Sequence, residues 1–220
     1  MNHRRIGAGR VIAGAIVVIV AGVLFAGGLP STAAQAPAAA QSGPVLLEVA
    51  AGTRAAYRVQ EQFVGINFPN DASGSTEAVT GSLRIAPDGS IDSAQSKLSI
   101  DLRKLKSDQD MRDNFIRTRT LETDKFPMVE FVPRRIQGVP SPIPANGQAG
   151  FQMTGDMTVR GVTAEVTWNG IVTFSAQQLA GRATTNFDFA KFGLTKPAIG
   201  RLMSVDDKII LELEFRMKRT

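Results

Sequence analysis

From residue 45 onward, apolar and polar side chains alternate along the chain. This period of two marks strands buried on one face. The run Gly150–Arg160 is the clearest: Phe151, Met153, Gly155, Met157 and Val159 share one face, and Gln152, Thr154, Asp156, Thr158 and Arg160 share the other. Ala164–Phe174 repeats the pattern with Val166, Trp168, Val172 and Phe174 on one parity. Leu179–Phe189 sets Phe187 and Phe189 against Arg182, Thr184, Asn186 and Asp188, and Val205–Met217 sets Ile209, Leu211, Leu213 and Phe215 against Lys208, Glu212, Glu214 and Arg216. Val45–Val49, Arg54–Phe63, Glu77–Ile85, Ile91–Leu102 and the short run Met128–Val132 also read as strands. Between them, Pro69, Asn70, Asp71 and Gly74 make Asn67–Ser75 a connection, Pro87-Asp88-Gly89 a tight turn, and the proline-rich Gln137–Gln148 a long loop. Roughly eight or nine strands at hairpin spacing predict an antiparallel sandwich or barrel. No repeat of fixed period is present, which argues against a propeller or solenoid.

One stretch breaks the alternation. Ser107–Phe131 begins like a helix, with Ser107 and Asp110 at the spacing of a capping box. Met111 and Phe115 lie four apart on one helical face, and Asp113, Asn114 and Arg117 are expected to point to water. Phe126-Pro127 ends any helix, because the residue before a proline is pushed out of the α region. The expected fold class is therefore all-β with one short helix, which closes the mouth of the sheet or barrel.

The segment before residue 45 is of another kind. Met1–Arg10 is basic, Val11–Leu29 is apolar and uncharged, and Pro30–Pro44 is rich in Pro, Ala, Gln and Ser. Residues 1–44 are expected to be an export signal, cleaved after Ala34 or Ala40, or an uncleaved membrane anchor, since the apolar run is long enough to span a bilayer. Either alternative places the domain, residues 45–220, outside the cytoplasm: periplasmic, or anchored on the outer side of the cytoplasmic membrane.

Charge and composition then narrow the chemistry. The formal net charge is +5, and Arg4, Arg5 and Arg10 supply three of those positives, so the rest of the chain carries 5 − 3 = +2. No basic stripe interleaved with aromatics appears, and nucleic acid is not an expected partner. The chain has no cysteine, and its one histidine, His3, lies in the leader. A Ser-His-Asp triad, a Cys nucleophile and a His or Cys metal site are thereby excluded from the domain. No metal and no cofactor is expected. Asp108, Asp110 and Asp113 read as a solvated helix face whose acids oppose the helix dipole, and Asp206-Asp207 as a turn or strand edge. A face of Phe, Met, Leu and Ile is the ordinary content of a core. The alternative is a cavity for an apolar ligand, since an eight-stranded barrel is just wide enough for its own side chains or one small ligand.

Several of these segments together resemble a known family. They are Ser99-Ile100-Asp101-Leu102, Met111-Arg112-Asp113, Phe126-Pro127-Met128-Val129-Glu130-Phe131, the run Gly155–Thr163, Asp188-Phe189-Ala190-Lys191-Phe192-Gly193, and Asp206-Asp207-Lys208-Ile209. The resemblance is to the YceI-like, polyisoprenoid-binding family, over about Val45–Met217. It implies a lipocalin-like, extended eight-stranded antiparallel β-barrel holding an isoprenoid or other long-chain lipid. The chain departs from the family near Arg54–Phe68, where many members carry a histidine and this one has none.

The resulting expectation is a binding protein, not an enzyme, that sequesters or transports such a lipid. The residues expected to line the tail are Leu98, Ile100, Phe131, Phe151, Met153, Trp168, Phe174, Phe187 and Phe189, with Met111 and Phe115 covering one end and Phe192 lining a mouth. A phosphate or quinone head is expected near Arg103, Arg112 or Arg182. Attachment to a membrane through the leader and a homodimer are the further partner expectations. Competing readings are a His- and Cys-independent enzyme on a lipid or isoprenoid substrate, and a ligand-free structural or stress domain with a filled core.

Overall fold

The computed structural model describes residues 43–65, 69–197 and 202–220. The expected export segment, up to residue 42, lies outside the described residues. The strands are β1 (Val45–Val49), β2 (Arg54–Phe63), β3 (Asn70–Thr76), β4 (Val79–Ile85), β5 (Lys97–Asp101), β6 (Lys106–Ser107), β7 (Met128–Gln137), β8 (Gly147–Val159), β9 (Val162–Phe174), β10 (Gln178–Asp188) and β11 (Leu202–Arg219). Helix α1 is Asp110–Phe115 and runs on as a π-helical turn, Ile116–Thr120. Every strand pairing among the described residues is antiparallel.

The sheet closes on itself as an eight-stranded barrel in the order β1-β4-β5-β7-β8-β9-β10-β11, with β11 returning to β1. Closure depends on the length of β11. One edge of β11 follows β10 from Lys208 to Lys218. Its other edge pairs first with β2, then, at Met217–Arg219, with β1. β2, β3 and β6 thus form a flap that continues the wall beyond the closed ring. Thr53 makes the corner between β1 and β2. Its buried hydroxyl accepts from Arg216 N (3.0 Å) and donates to Ala50 O (2.9 Å), so a side chain satisfies backbone groups where the ladder changes strands.

The alternation places the interior as expected along β8 to β11: Met157, Val159, Val166, Trp168, Val172, Ala183, Phe187 and Ile209 are buried. The β8–β9 and β9–β10 turns are short, and the polar rows of these strands face water.

Other expectations are corrected. The expected connection Asn67–Ser75 is strand from Asn70 onward, and residues 67 and 68 lie outside the described residues. Asn70–Thr76 is β3, held between β2 and β6 although its residues are turn formers, because pairing on both edges overrides weak propensity. Ile91–Leu102 is strand only from Lys97, after a 3₁₀ turn at Ser93–Gln95. The eight or nine expected strands become eleven, because β3 and the two-residue β6 add to them. Asp206 and Asp207 lie inside β11, where its register with β2 shifts between Val205 and Ile209. The capping box does not form. Gln109 occupies the N-cap without a side-chain bond, and Ser107 belongs to β6.

Candidate functional site

The interior is not filled. A cavity of about 560 Å³ lies between β2, β3, α1 and the inner faces of β7 to β11. Its wall is mostly apolar, from Val59, Ala72, Leu102, Val129, Val159, Phe187, Ile209 and Leu211 among others. A second space of about 110 Å³ continues toward the other end. Ile100, Val129, Trp168 and Leu211 line both, so Trp168 stands at the junction. The 138–146 loop brings Val139 and Ile143 against the smaller space, and Arg219 donates to Pro144 O beside it.

Helix α1 forms the other wall of the large cavity. Two inward side chains hold it there. Asp113 is buried and accepts the Ser107 N–H at 2.8 Å, tying the helix to β6. Arg112 donates to Glu61 of β2 at 2.7 Å and also pairs with the exposed Asp108. Glu61 and Arg112 keep only 8% and 12% of their side chains exposed. Burial works against the charge on Arg112, but the carboxylates of Glu61 and Asp108 outweigh it and hold its pKa above the ordinary value. Asp113 is therefore not part of a solvated face. Met111 lines the cavity and is 72% exposed, which makes it part of the rim.

Two polar atoms inside are unusual. The side chains of Tyr57 and Trp168 line the large cavity, but Tyr57 Oη and Trp168 Nε1 themselves are buried in its wall and have no hydrogen-bond partner among the described residues. Burial pushes the Tyr57 phenol up to about 12, so it stays a neutral hydroxyl well above neutral pH. Arg112, Asp113, Glu61 and Asp108 are the charges acting on it, which sets Tyr57 beside the α1 cluster. The Trp168 ring packs edge-on against Phe131, centroids 6.3 Å apart.

The expected tail residues divide into three groups. Ile100, Met111, Trp168, Phe187 and Phe189 line the large cavity, whereas Leu98, Phe131, Phe151 and Met153 line the smaller space, which Ile100 and Trp168 share. Phe115, Phe174 and Phe192 line neither. Phe174 belongs to a separate packed group with Leu47, Leu83 and Val172. Phe192, expected at a mouth, is 0% exposed and packs edge-on against Phe187 at 4.8 Å. Of the three arginines, only Arg112 reaches the cavity. Arg103 is bonded to its neighbour Asp101, and Arg182 faces outward toward Glu214. Tyr57, Glu61 and Ala72 escaped the sequence reading. The odd-numbered parity of β2 held the signal for the first two, since Tyr57, Val59 and Glu61 share a face.

Three of the motifs that carried the resemblance meet at one corner. Arg160, at φ 50°, donates from Nε to Glu122 (2.6 Å) and from Nη1 to the Gly193 carbonyl (2.9 Å). Phe126 lies over Gly161, where an added Cβ would stand 3.1 Å from its ring. The corner backs onto Leu121 and Leu194 of the cavity wall. Among the described residues no three His, Cys, Asp or Glu side chains form a metal-holding group.

The class is a closed eight-stranded antiparallel β-barrel around an internal apolar cavity. The chain belongs to the YceI-like domain family, whose model matches residues 50–217. A polyisoprenoid binding domain from Saccharophagus degradans, implicated in plant cell wall breakdown, has the same fold, with a TM-score of 0.61 at 12% identity over 80% of this chain and 98% of that one. Burkholderia cenocepacia BcnA matches with a TM-score of 0.54 at 16% identity, covering 74% of this chain and 95% of its own. The Campylobacter jejuni YCEI protein matches with 0.50 at 14% identity, covering 67% and 84%. At such identities the similarity is one of fold. Among curated proteins none matches significantly.

Proposed function

We propose that this protein holds a lipid with a long apolar tail, an isoprenoid or similar amphiphile, inside its barrel, for sequestration or transport outside the cytoplasm. The observation that carries the reading is the apolar cavity of about 560 Å³. That volume falls in the range of small-molecule sites, about 300–1,000 Å³. The fold neighbour described as a polyisoprenoid binding domain supports the choice of lipid. Binding is favoured over catalysis by the state of the charged groups at the cavity. Arg112 is held by Glu61 and Asp108, and Glu212 by Arg58, so these side chains serve the fold.

The test is organic extraction of the purified protein followed by mass spectrometry, together with thermal unfolding with and without a long-chain isoprenoid. A bound ligand raises the midpoint by mass action. A lipid-free extract and an unmoved midpoint would overturn the proposal. Export rests on the basic segment followed by Val11–Leu29. A C-terminal reporter recovered in the cytoplasm after fractionation would refute it, and loss of about 34–40 residues would decide for cleavage.

A further inference from the structure

Among the described residues in the wall of the large cavity, only Asn70, Asp108, Gln109 and Met111 are exposed, so the cavity meets water where they stand. Two lips carry them. One is residues 103–121, from which Leu105, Ile116 and Leu121 line the cavity. The other joins the end of β2 to the start of β3, from which Phe63 and Asn70 line it. Each lip also holds a large apolar side chain in water: Met111 is 72% exposed, and Val64, next to Phe63, is 52%. A single exposed apolar residue needs no explanation, but these two frame one mouth.

The charge on the first lip is one-sided. Residues 103–119 contain six Lys and Arg against three Asp, 6 − 3 = +3, whereas residues 45–220 together carry only +2. Arg103 is taken by Asp101, and Arg112 by Glu61 and Asp108. Lys104, Lys106, Arg117 and Arg119 make no salt bridge among the described residues. Asp113 is buried against β6, which leaves Asp110 as the one acid of this stretch without a cation. On the facing lip, Asp71 is met by Arg58. Free cations around two exposed apolar side chains complement a surface that offers phosphates above hydrocarbon.

We propose that the mouth docks on an anionic lipid bilayer, with Lys104, Lys106, Arg117 and Arg119 against the headgroup phosphates and Met111 and Val64 in the headgroup layer. The cavity then opens onto the membrane instead of onto water. The proposal goes beyond the lipid-holding reading, since it concerns the outside of the mouth whatever the barrel holds. It is also separate from the expected anchor in residues 11–29.

The chain has no cysteine, so a single introduced one can carry an environment-sensitive fluorophore. Thr118→Cys puts the dye between Arg117 and Arg119, at an exposed position outside the cavity lining. Gln177→Cys puts it in the β9–β10 turn, two residues from Leu179 of the smaller space. Each full-length variant is mixed with vesicles of phosphatidylcholine, or of an equal mixture of phosphatidylcholine and phosphatidylglycerol. The apolar segment 11–29 can bind either vesicle by itself, and the dye is chosen because it reads the mouth. The expected result is a blue shift at position 118 with the anionic vesicles, none with phosphatidylcholine alone, and none at position 177. High salt screens the charges and abolishes the shift. Replacing Lys104, Lys106, Arg117 and Arg119 together by Gln lowers the docked fraction by about tenfold. None of the four holds a partner in the fold, so an unchanged thermal midpoint separates lost docking from lost structure.

No shift at position 118, an equal shift with both vesicles, an equal shift at positions 118 and 177, or an unaffected quadruple variant would overturn the proposal. A shift that grows with protein concentration in the absence of vesicles would assign the mouth to a second copy of the chain and overturn it as well. The lipid-holding reading survives each of these outcomes, since extraction and mass spectrometry decide it.

Discussion

The ring of Tyr57 lies against the bare backbone of Gly74, its cross-strand partner in β3, so closely that a Cβ there would stand 2.6 Å from Cε1 and 2.9 Å from the Lys106 carbonyl oxygen. Glycine at this position lets the β3 backbone approach both the aromatic ring and β6. The cavity keeps its tyrosine on the wall because of that missing methyl group. Gly74→Ala should force the ring to move and cost about 1–3 kcal/mol, as overpacking does. Urea unfolding checks the stability. Weaker lipid binding in the same variant checks that the displaced ring enters ligand space.

Tyr57 is the only tyrosine, so its titration can be followed by tyrosinate absorbance. In the folded chain it should ionise near 12, against 10.0 for the ordinary phenol. Between these values the unfolded chain has released a proton that the folded chain still holds. The contribution to stability is therefore fully present below about 10 and declines as pH rises toward about 12. An ordinary titration in the native protein would show that the hydroxyl is in water.

Arg112 and Glu61 join α1 to β2 out of solvent. Arg112→Met leaves the Glu61 carboxylate buried beside an apolar chain and should destabilise by about 3 kcal/mol. Arg112→Met combined with Glu61→Leu should recover most of that loss, since well-packed apolar pairs replace buried ion pairs at little cost. A double-mutant cycle by chemical denaturation measures the coupling. No recovery would mean that Arg112 holds the helix through Asp108 instead.

Ala72 faces the large cavity from β3. In a filled core, Ala72→Phe would cost about 1–3 kcal/mol. Here the ring has free volume to occupy. The expected outcome is an unfolding midpoint in the absence of lipid close to that of the parent chain and a lipid-induced rise that is largely lost.

Arg160 ties the β8–β9 turn to Glu122 and to the Gly193 carbonyl. Glu122 is half-buried and Gly193 is exposed, so Arg160→Ala should destabilise the chain only slightly. Faster hydrogen exchange confined to residues 121–126 and 189–194 would locate the loss at this corner. A uniform change across the barrel would contradict the local role.

The sequence alone determined the strands whose faces differ. Along β8 to β11 one parity is apolar and the other polar, and a slip of one residue would turn Met157, Trp168 and Phe187 out to water, so register followed from solvent. It also carried the family, because several short motifs in order are specific even when each is weak. What it did not determine lies where local preference and tertiary pairing disagree. β3 is made of turn residues and is a strand only because β2 and β6 hold its edges. Asp113 has the look of a solvated helix acid and is buried because Ser107 N–H waits for it on a strand six residues earlier. Phe192 and Phe115 have the apolar character of lining residues, yet they line neither space. The cavity itself was beyond the sequence. Apolar parity states which side chains turn inward, but whether they meet across the barrel depends on its circumference. That follows from the number of strands that close the ring and the stagger between them, which only the pairing of β11 with β1 decides.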